Sequence, residues 1–112
     1  MESGNIILAA LPQSNGKTKL RPALVLKKTP MFDDLLVCGI SSQISQQVPG
    51  FDDLIKTNDD DFVLSGLVQP SLIRLGFLAI VPNVIVAGTI GKISSNRLRS
   101  IKQKLSDFIL SD

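Results

Sequence analysis

The residue best suited to do chemistry is Arg21. It follows a polar stretch and opens the apolar run Pro22-Ala23-Leu24-Val25-Leu26. That position puts its planar, permanently charged fork at the rim of a sheet, where it can meet a phosphate through two parallel hydrogen bonds. Pro22 has no N–H to give to a ladder, so it is expected at a strand start or edge, with the chain entering the sheet there. An ordinary loop-to-strand junction with a solvated arginine has the same sequence, and these residues alone do not separate the two readings. Lys17 and Lys19 precede Arg21 in the same polar loop and add positive charge beside it.

What the chain lacks narrows the chemistry. It contains no His, which removes His-pair ribonucleases, Ser-His-Asp and Cys-His hydrolases, and every histidine-ligated metal site. Cys38 is the only cysteine, so no intrachain disulfide can form, a reducing compartment fits, and the thiol reads as core packing. Asp59-Asp60-Asp61 are three consecutive acids, but a calcium loop spaces its ligands alternately around a glycine turn. That pattern is missing, and Lys56 to Asp61 reads as a solvated loop. No metal and no cofactor are expected.

The elements that must carry Arg21 follow from apolar runs and turn signals. Ile6 to Leu11 starts with β-branched residues and is stopped by Pro12, while Ser14-Asn15-Gly16 marks a turn. The first two strands therefore pair as a hairpin with a long basic tip. Leu35 to Ile40 is a third strand, Ser41 to Gly50 a polar loop and Phe51 to Ile55 a short fourth strand. Leu75 to Gly91 carries no charge over 17 residues, yet a membrane span needs about 20 and tolerates a central Pro-Asn pair poorly. It reads as two buried strands turning at Pro82-Asn83. Gly76 and Gly88 would permit the bends that close a barrel. Ser94 or Ser95 caps a helix on which Leu98, Ile101, Leu105, Phe108 and Ile109 share one face. Arg97, Arg99, Lys102 and Lys104 occupy its other face, read as solvated.

At 112 residues and 44% hydrophobic composition the chain fits one folded domain. Aromatic residues make up only 4%, so the core is small and aliphatic, and its apolar surplus favours burial against a second copy. The net charge of +2 hides a sharp division: residues 1–30 carry +4, residues 31–61 carry −6 and residues 62–112 carry +4. Two basic regions make a phosphate-facing surface if the fold brings them together. The N-terminus has Glu2 where a secretion signal carries bases, and a cytoplasmic product is expected.

The order of the pieces carries more information than any one of them. Gly4-Asn5-Ile6-Ile7-Leu8, the polar loop, Arg21-Pro22-Ala23-Leu24-Val25-Leu26, Ser41-Ser42-Gln43, Gln69-Pro70, and Gly91-Lys92-Ile93-Ser94 before the closing helix resemble the MazF/PemK family of toxin endoribonucleases, from Gly4 to about Leu110. The resemblance implies an SH3-like small β-barrel with a C-terminal amphipathic helix, a homodimer, and cleavage of single-stranded RNA at short motifs. It also implies a partner antitoxin whose acidic, disordered tail lies over the same basic surface. Arg21 matches the family's catalytic arginine, and Ser41 falls where the family usually has threonine. Lys17, Lys19, Ser42, Gln43 and Gln69 make up the implied RNA-binding surface.

RNA transesterification uses the ribose 2′-OH as nucleophile, so a protein supplies base, acid and charge stabilisation without strictly needing a metal. Arg21 would stabilise the dianionic phosphorane and Ser41 would hydrogen-bond a non-bridging oxygen. Arginine is a poor base, because its pKa lies above about 12. Where the plasmid branch of the family has an Arg and an Asp ahead of its Gln-Pro pair, this chain has Gly66 and Val68, and the opening Gly-Asp of the family is Gly4-Asn5 here. Either the chain cuts RNA with Arg21 and Ser41 alone, or it keeps the barrel without the chemistry, as a binding module or a toxin that blocks a protein target in the manner of gyrase poisons.

Overall fold

The computed structural model describes residues 1–30 and 32–112. Six strands, β1 (Asn5–Pro12), β2 (Thr18–Lys28), β3 (Leu35–Ser41), β4 (Asp53–Ile55), β5 (Ser71–Val81) and β6 (Val86–Lys92), form one antiparallel sheet in the order β4-β5-β3-β2-β1-β6. A short helix, α1 (Phe62–Ser65), and a long one, α2 (Ser95–Leu110), complete the chain. β5 and β6 are joined only by the turn Pro82 to Ile85, yet β3, β2 and β1 lie between them in the sheet. A flat sheet cannot satisfy both facts, so the sheet curls. The result is the expected mainly-β barrel with a C-terminal helix, as a half-barrel with β4 and β6 at its two edges.

The pleat sends successive side chains to opposite faces, and both faces are buried. Ile6, Leu24, Cys38, Ile73 and Leu75 pack with Ile101 and Leu105 of α2. Their sequence neighbours Ile7, Val25 and Val37 join Ala9, Ala23, Leu35 and Val81 in a second cluster enclosed by the curl, with Phe77, Ala79 and Val86 at its margin. The burial of Cys38 pushes its thiol pKa up to about 12, so it stays protonated and inert. α2 begins as expected at Ser94, whose Oγ accepts from the Arg97 N–H at 3.1 Å. Its apolar stripe outruns the sheet: Ile101 and Leu105 are buried, whereas Phe108 and Ile109 are exposed, with the Phe108 ring tilted 4.7 Å from that of Phe51.

Four expectations need correcting. Pro22 does not mark the entry of the chain into the sheet, because β2 starts at Thr18 as a two-stranded ribbon with β1. Pairing with β3 begins only at Ala23↔Gly39, so the missing N–H of Pro22 falls where β2 is locally an edge. The fourth strand is confined to Asp53–Ile55, since Phe51 and Asp52 hydrogen-bond back to Val48 in a turn. The apolar stretch on either side of Pro82-Asn83 does turn there, but it is not buried throughout. Leu78 and Ile80 are exposed because they alternate with Ala79 and Val81, which face the second cluster, and Val84 and Ile85 are exposed in the turn that follows.

The fourth correction concerns charge. Arg97 does not lie on a solvated face, and the loop Lys56 to Asp61 is solvated only in part: Lys56 to Asn58 and Asp60 are exposed, while Asp59 and Asp61 turn inward. Arg97 Nη1 donates to Asp53 Oδ2 at 2.6 Å, Nη2 to Asp59 Oδ2 at 3.0 Å and to Asp61 Oδ1 at 3.1 Å, and Nε to Asp61 Oδ2 at 2.9 Å. Asp61 also accepts from the Ser94 N–H at 2.9 Å. One guanidinium thus ties β4, the loop before α1 and the start of α2 together across the open side of the half-barrel. Burial opposes the charge on Arg97, but the carboxylates of Asp61 and Asp53 more than reverse this and raise its pKa. Burial likewise opposes ionisation of Asp61, and hydrogen bonds from Arg97 and Ser94 overcome it, so the carboxyl ends below its ordinary range. Among the described residues no helix is long and apolar enough to cross a membrane.

Candidate active site

The site forms where β2 and β3 part company. Their register is Ala23↔Gly39, and two further residues along each strand would set Arg21 opposite Ser41. The ladder has ended there, so the space between the two strands is open. On β2, Arg21 is held from the other side by its pairing with Ala9 of β1. Two adjoining depressions flank it. The first, about 180 Å³, is lined by Leu11, Gln13, Arg21, Pro22, Gly39, Ile40, Ser41, Gln43, Arg74 and Phe77. The second, about 330 Å³, shares Arg21, Pro22 and Ile40 and adds, among others, Ser42, Gly66, Val68 and Gln69. Arg21 therefore stands on the partition between them.

The hydrogen bonds leave both functional groups available. Among the described residues Arg21 makes a single long side-chain contact, Nη2 to Gln13 Oε1 at 3.4 Å, and Gln13 is itself anchored by its Nε2 to the carbonyls of Leu11 and Pro12. Ser41 Oγ accepts from the Gln43 N–H at 3.1 Å. This fixes the oxygen and leaves the O–H free to donate, since a hydroxyl has one donor and two acceptor sites. The same hydroxyl thus satisfies a backbone N–H and keeps a donor of its own.

Of the residues expected to bind RNA, Gln43 lines the first depression and Ser42 and Gln69 the second. Lys17 and Lys19 stay exposed near the tip of the β1–β2 hairpin and line neither. Sequence reasoning missed Arg74, Gln13 and Phe77. Arg74 is half-buried on β5, paired with Gly39 of β3, and a lone arginine inside the apolar run Leu72 to Leu75 was the available signal. Gln13 and Phe77 gave none, because a loop amide and a strand aromatic are ordinary. Among the described residues neither lining includes an Asp or Glu.

Gly66 and Val68, where part of the resembled family has a charged pair, are in the second depression. Val68 is 89% exposed. Gly66 ends α1 at φ +74°, and a Cβ there would lie 2.1 Å from the Ile90 carbonyl oxygen. The local packing of α1 on β6 therefore depends on there being no side chain at 66.

The arrangement presents a cation and a hydroxyl donor to one anionic centre, with room for chain on both sides, and offers no carboxylate or imidazole to take a proton. Residues 2–109 match the family model described as PemK-like, MazF-like toxin of type II toxin–antitoxin system. Among solved structures the chain is similar to the Mycobacterium tuberculosis toxin MazF-mt6, with a TM-score of 0.69, 19% identity, and coverage of 96% of this chain and 98% of that one. At that identity the likeness speaks for the fold. No curated protein sequence matches.

Proposed function

Since the chain belongs to the PemK/MazF-like toxin family of type II toxin–antitoxin systems, we propose that it is a metal-independent endoribonuclease that cleaves single-stranded RNA through the ribose 2′-OH. The observation that carries this reading is the place of Arg21 on the partition between two depressions, with Ser41 beside it. A strand threaded through both would put one phosphodiester at Arg21. The guanidinium stabilises charge on the phosphorane, and Ser41 Oγ–H donates to a non-bridging oxygen. With no carboxylate or imidazole in the linings, deprotonation of the 2′-OH falls to solvent hydroxide.

Toxins of this family are paired with an antitoxin, and an acidic, disordered antitoxin tail suits the same positively charged depressions. The working form is taken to be a cytoplasmic homodimer, in keeping with the exposed apolar side chains of Leu78, Ile80, Val84 and Ile85. The test is incubation of purified protein with single-stranded RNA in chelator. Fragments with 5′-hydroxyl ends are expected, and Arg21→Ala should slow their formation about a hundredfold to a thousandfold. Equal cutting by Arg21→Ala would refute the assignment of the site.

The acid-free linings favour one second reading, a barrel that has kept the fold and acts by blocking a protein target. Growth inhibition that survives Arg21→Ala without RNA fragments would establish it.

A further inference from the structure

Arg74 and Phe77 are three residues apart on β5, and in a regular strand an odd separation puts side chains on opposite faces. Both nevertheless line the depression that holds Ser41. The reason is a bulge: β5 pairs Arg74 with Gly39 but Leu78 with Cys38, so three residues of β5 are inserted against none of β3. Bulges next to functional sites commonly re-aim a side chain. Here the bulge lays the Phe77 ring against Gly39, where a Cβ would come within 2.9 Å of the ring.

The side chain of Arg74 has a charge and a place in the lining. It is half-buried, and among the described residues its guanidinium has no hydrogen-bond or ion-pair partner. A second cation, Arg21, lines the same space, and no carboxylate does. Two guanidiniums sharing a partly desolvated cavity repel each other until an anion joins them. An aromatic ring beside such an anion site is the usual platform for an unstacked base.

We propose that the β5 bulge builds a one-nucleotide subsite for single-stranded RNA, in which Arg74 binds the backbone phosphate next to the one at Arg21 and Phe77 stacks on the intervening base. This rests on the endoribonuclease reading and deepens it, by naming which residues hold the substrate on the Ser41 side of the scissile bond.

The test uses the full chain, labelled mixed-sequence RNA oligonucleotides and fluorescence anisotropy over a range of KCl, with cleavage kinetics alongside. Arg74→Gln should weaken binding about tenfold and flatten the plot of log affinity against log salt by about 0.7, the contribution of one phosphate contact on a single strand. Arg74→Lys should restore the slope. Phe77→Leu should raise KM about fivefold, leave the salt slope alone, and abolish the quenching of 2-aminopurine placed in the RNA. Melting curves establish that each variant is folded, and should Phe77→Leu fail to fold, the Arg74 pair decides by itself. Wild-type cleavage together with unchanged affinity and slope in Arg74→Gln would overturn the subsite alone. Absence of RNA binding by the wild-type protein would overturn both the subsite and the nuclease reading.

Discussion

Arg21 and Arg97 are the same residue type, each half-buried, and they have opposite surroundings. Arg97 is saturated: three carboxylates, from Asp53, Asp59 and Asp61, accept from its three nitrogens. Arg21 has one 3.4 Å contact to a neutral amide. The first guanidinium has its counter-charge supplied by the protein and holds elements together. The second keeps its charge uncompensated and available to an outside anion. The contrast teaches that whether an arginine is tied into the fold or left open to a ligand is decided by where the fold puts the acids: three of the seven acids in the middle third of the chain surround Arg97, and among the described residues none lines the depressions at Arg21.

The comparison is broken most severely by exchanging the two losses. Arg97→Ala leaves Asp61, which is 6% exposed, buried without its cation, and removing one partner of a buried pair costs about 3 to 5 kcal/mol. Such a variant should melt far below wild type or fail to fold, as thermal or urea denaturation would record. Arg21→Ala should stay within about 0.5 kcal/mol of wild-type stability while losing about a hundredfold to a thousandfold in RNA cleavage. Two variants with equal stability would mean that the distinction drawn between the arginines is false.

Asp61→Asn probes the same clamp from the acidic side. It keeps the size of the side chain but turns an acceptor oxygen into a donor facing Arg97, and should cost about 2 kcal/mol. Acid acts similarly on the wild-type protein. Asp59 is held below the ordinary carboxylate range first by the Lys56 N–H at 2.8 Å and then by Arg97, and Asp61 is also lowered. Groups with depressed folded-state values contribute stability that is complete above the unfolded value of about 3.9 and is lost as pH falls through the lower folded value. Melting temperature should therefore be level from pH 7 to about 5 and fall below about 4. In Asp61→Asn the acid loss should be shallower.

These two regions also differ in how far the sequence revealed them. Arg21, Ser41 and the hairpin before them were legible because they are local: a polar loop, a proline, a run of β-branched and aliphatic residues, and a strand-end hydroxyl. The amphipathic stripe and cap of α2 were legible for the same reason. Arg97 was not, because its partners lie 36 to 44 positions earlier in the chain, and a helix with Arg97, Arg99, Lys102 and Lys104 reads as solvated until the loop that packs on it is known. Arg74 and Phe77 were hidden by the bulge, which breaks the alternation on which strand faces are assigned.

Gly66 sharpens the picture at the edge of the site. Its Cα faces the Ile90 carbonyl, and Gly91 approaches the carbonyls of Leu64 and Ser65 just as closely, so α1 docks on β6 backbone to backbone. Gly66→Arg, designed to put a cation back into the second depression, should lower stability by about 1 to 3 kcal/mol through left-handed backbone strain and displacement of α1. It should bring no gain in cleavage. A stable and faster Gly66→Arg would show that the absence of charge there, and not packing, limits cleavage.

The smallest effect is expected at Lys104, which approaches the far oxygen of Asp53, Oδ1, at 3.7 Å while Arg97 holds Oδ2 at 2.6 Å. Lys104 is 36% exposed, its partner is already neutralised, and a solvated pair of this kind contributes less than about 0.5 kcal/mol. Lys104→Ala should therefore leave the denaturation midpoint almost unmoved in moderate salt. The informative measurement is the pair with Arg97→Lys. If the lysine at 104 is a bystander, its loss adds the same small amount in either background. A larger loss when Arg97 is weakened would show that the two cations share Asp53, and that the clamp has a reserve which the Arg21 site, with no carboxylate in its lining, does not have.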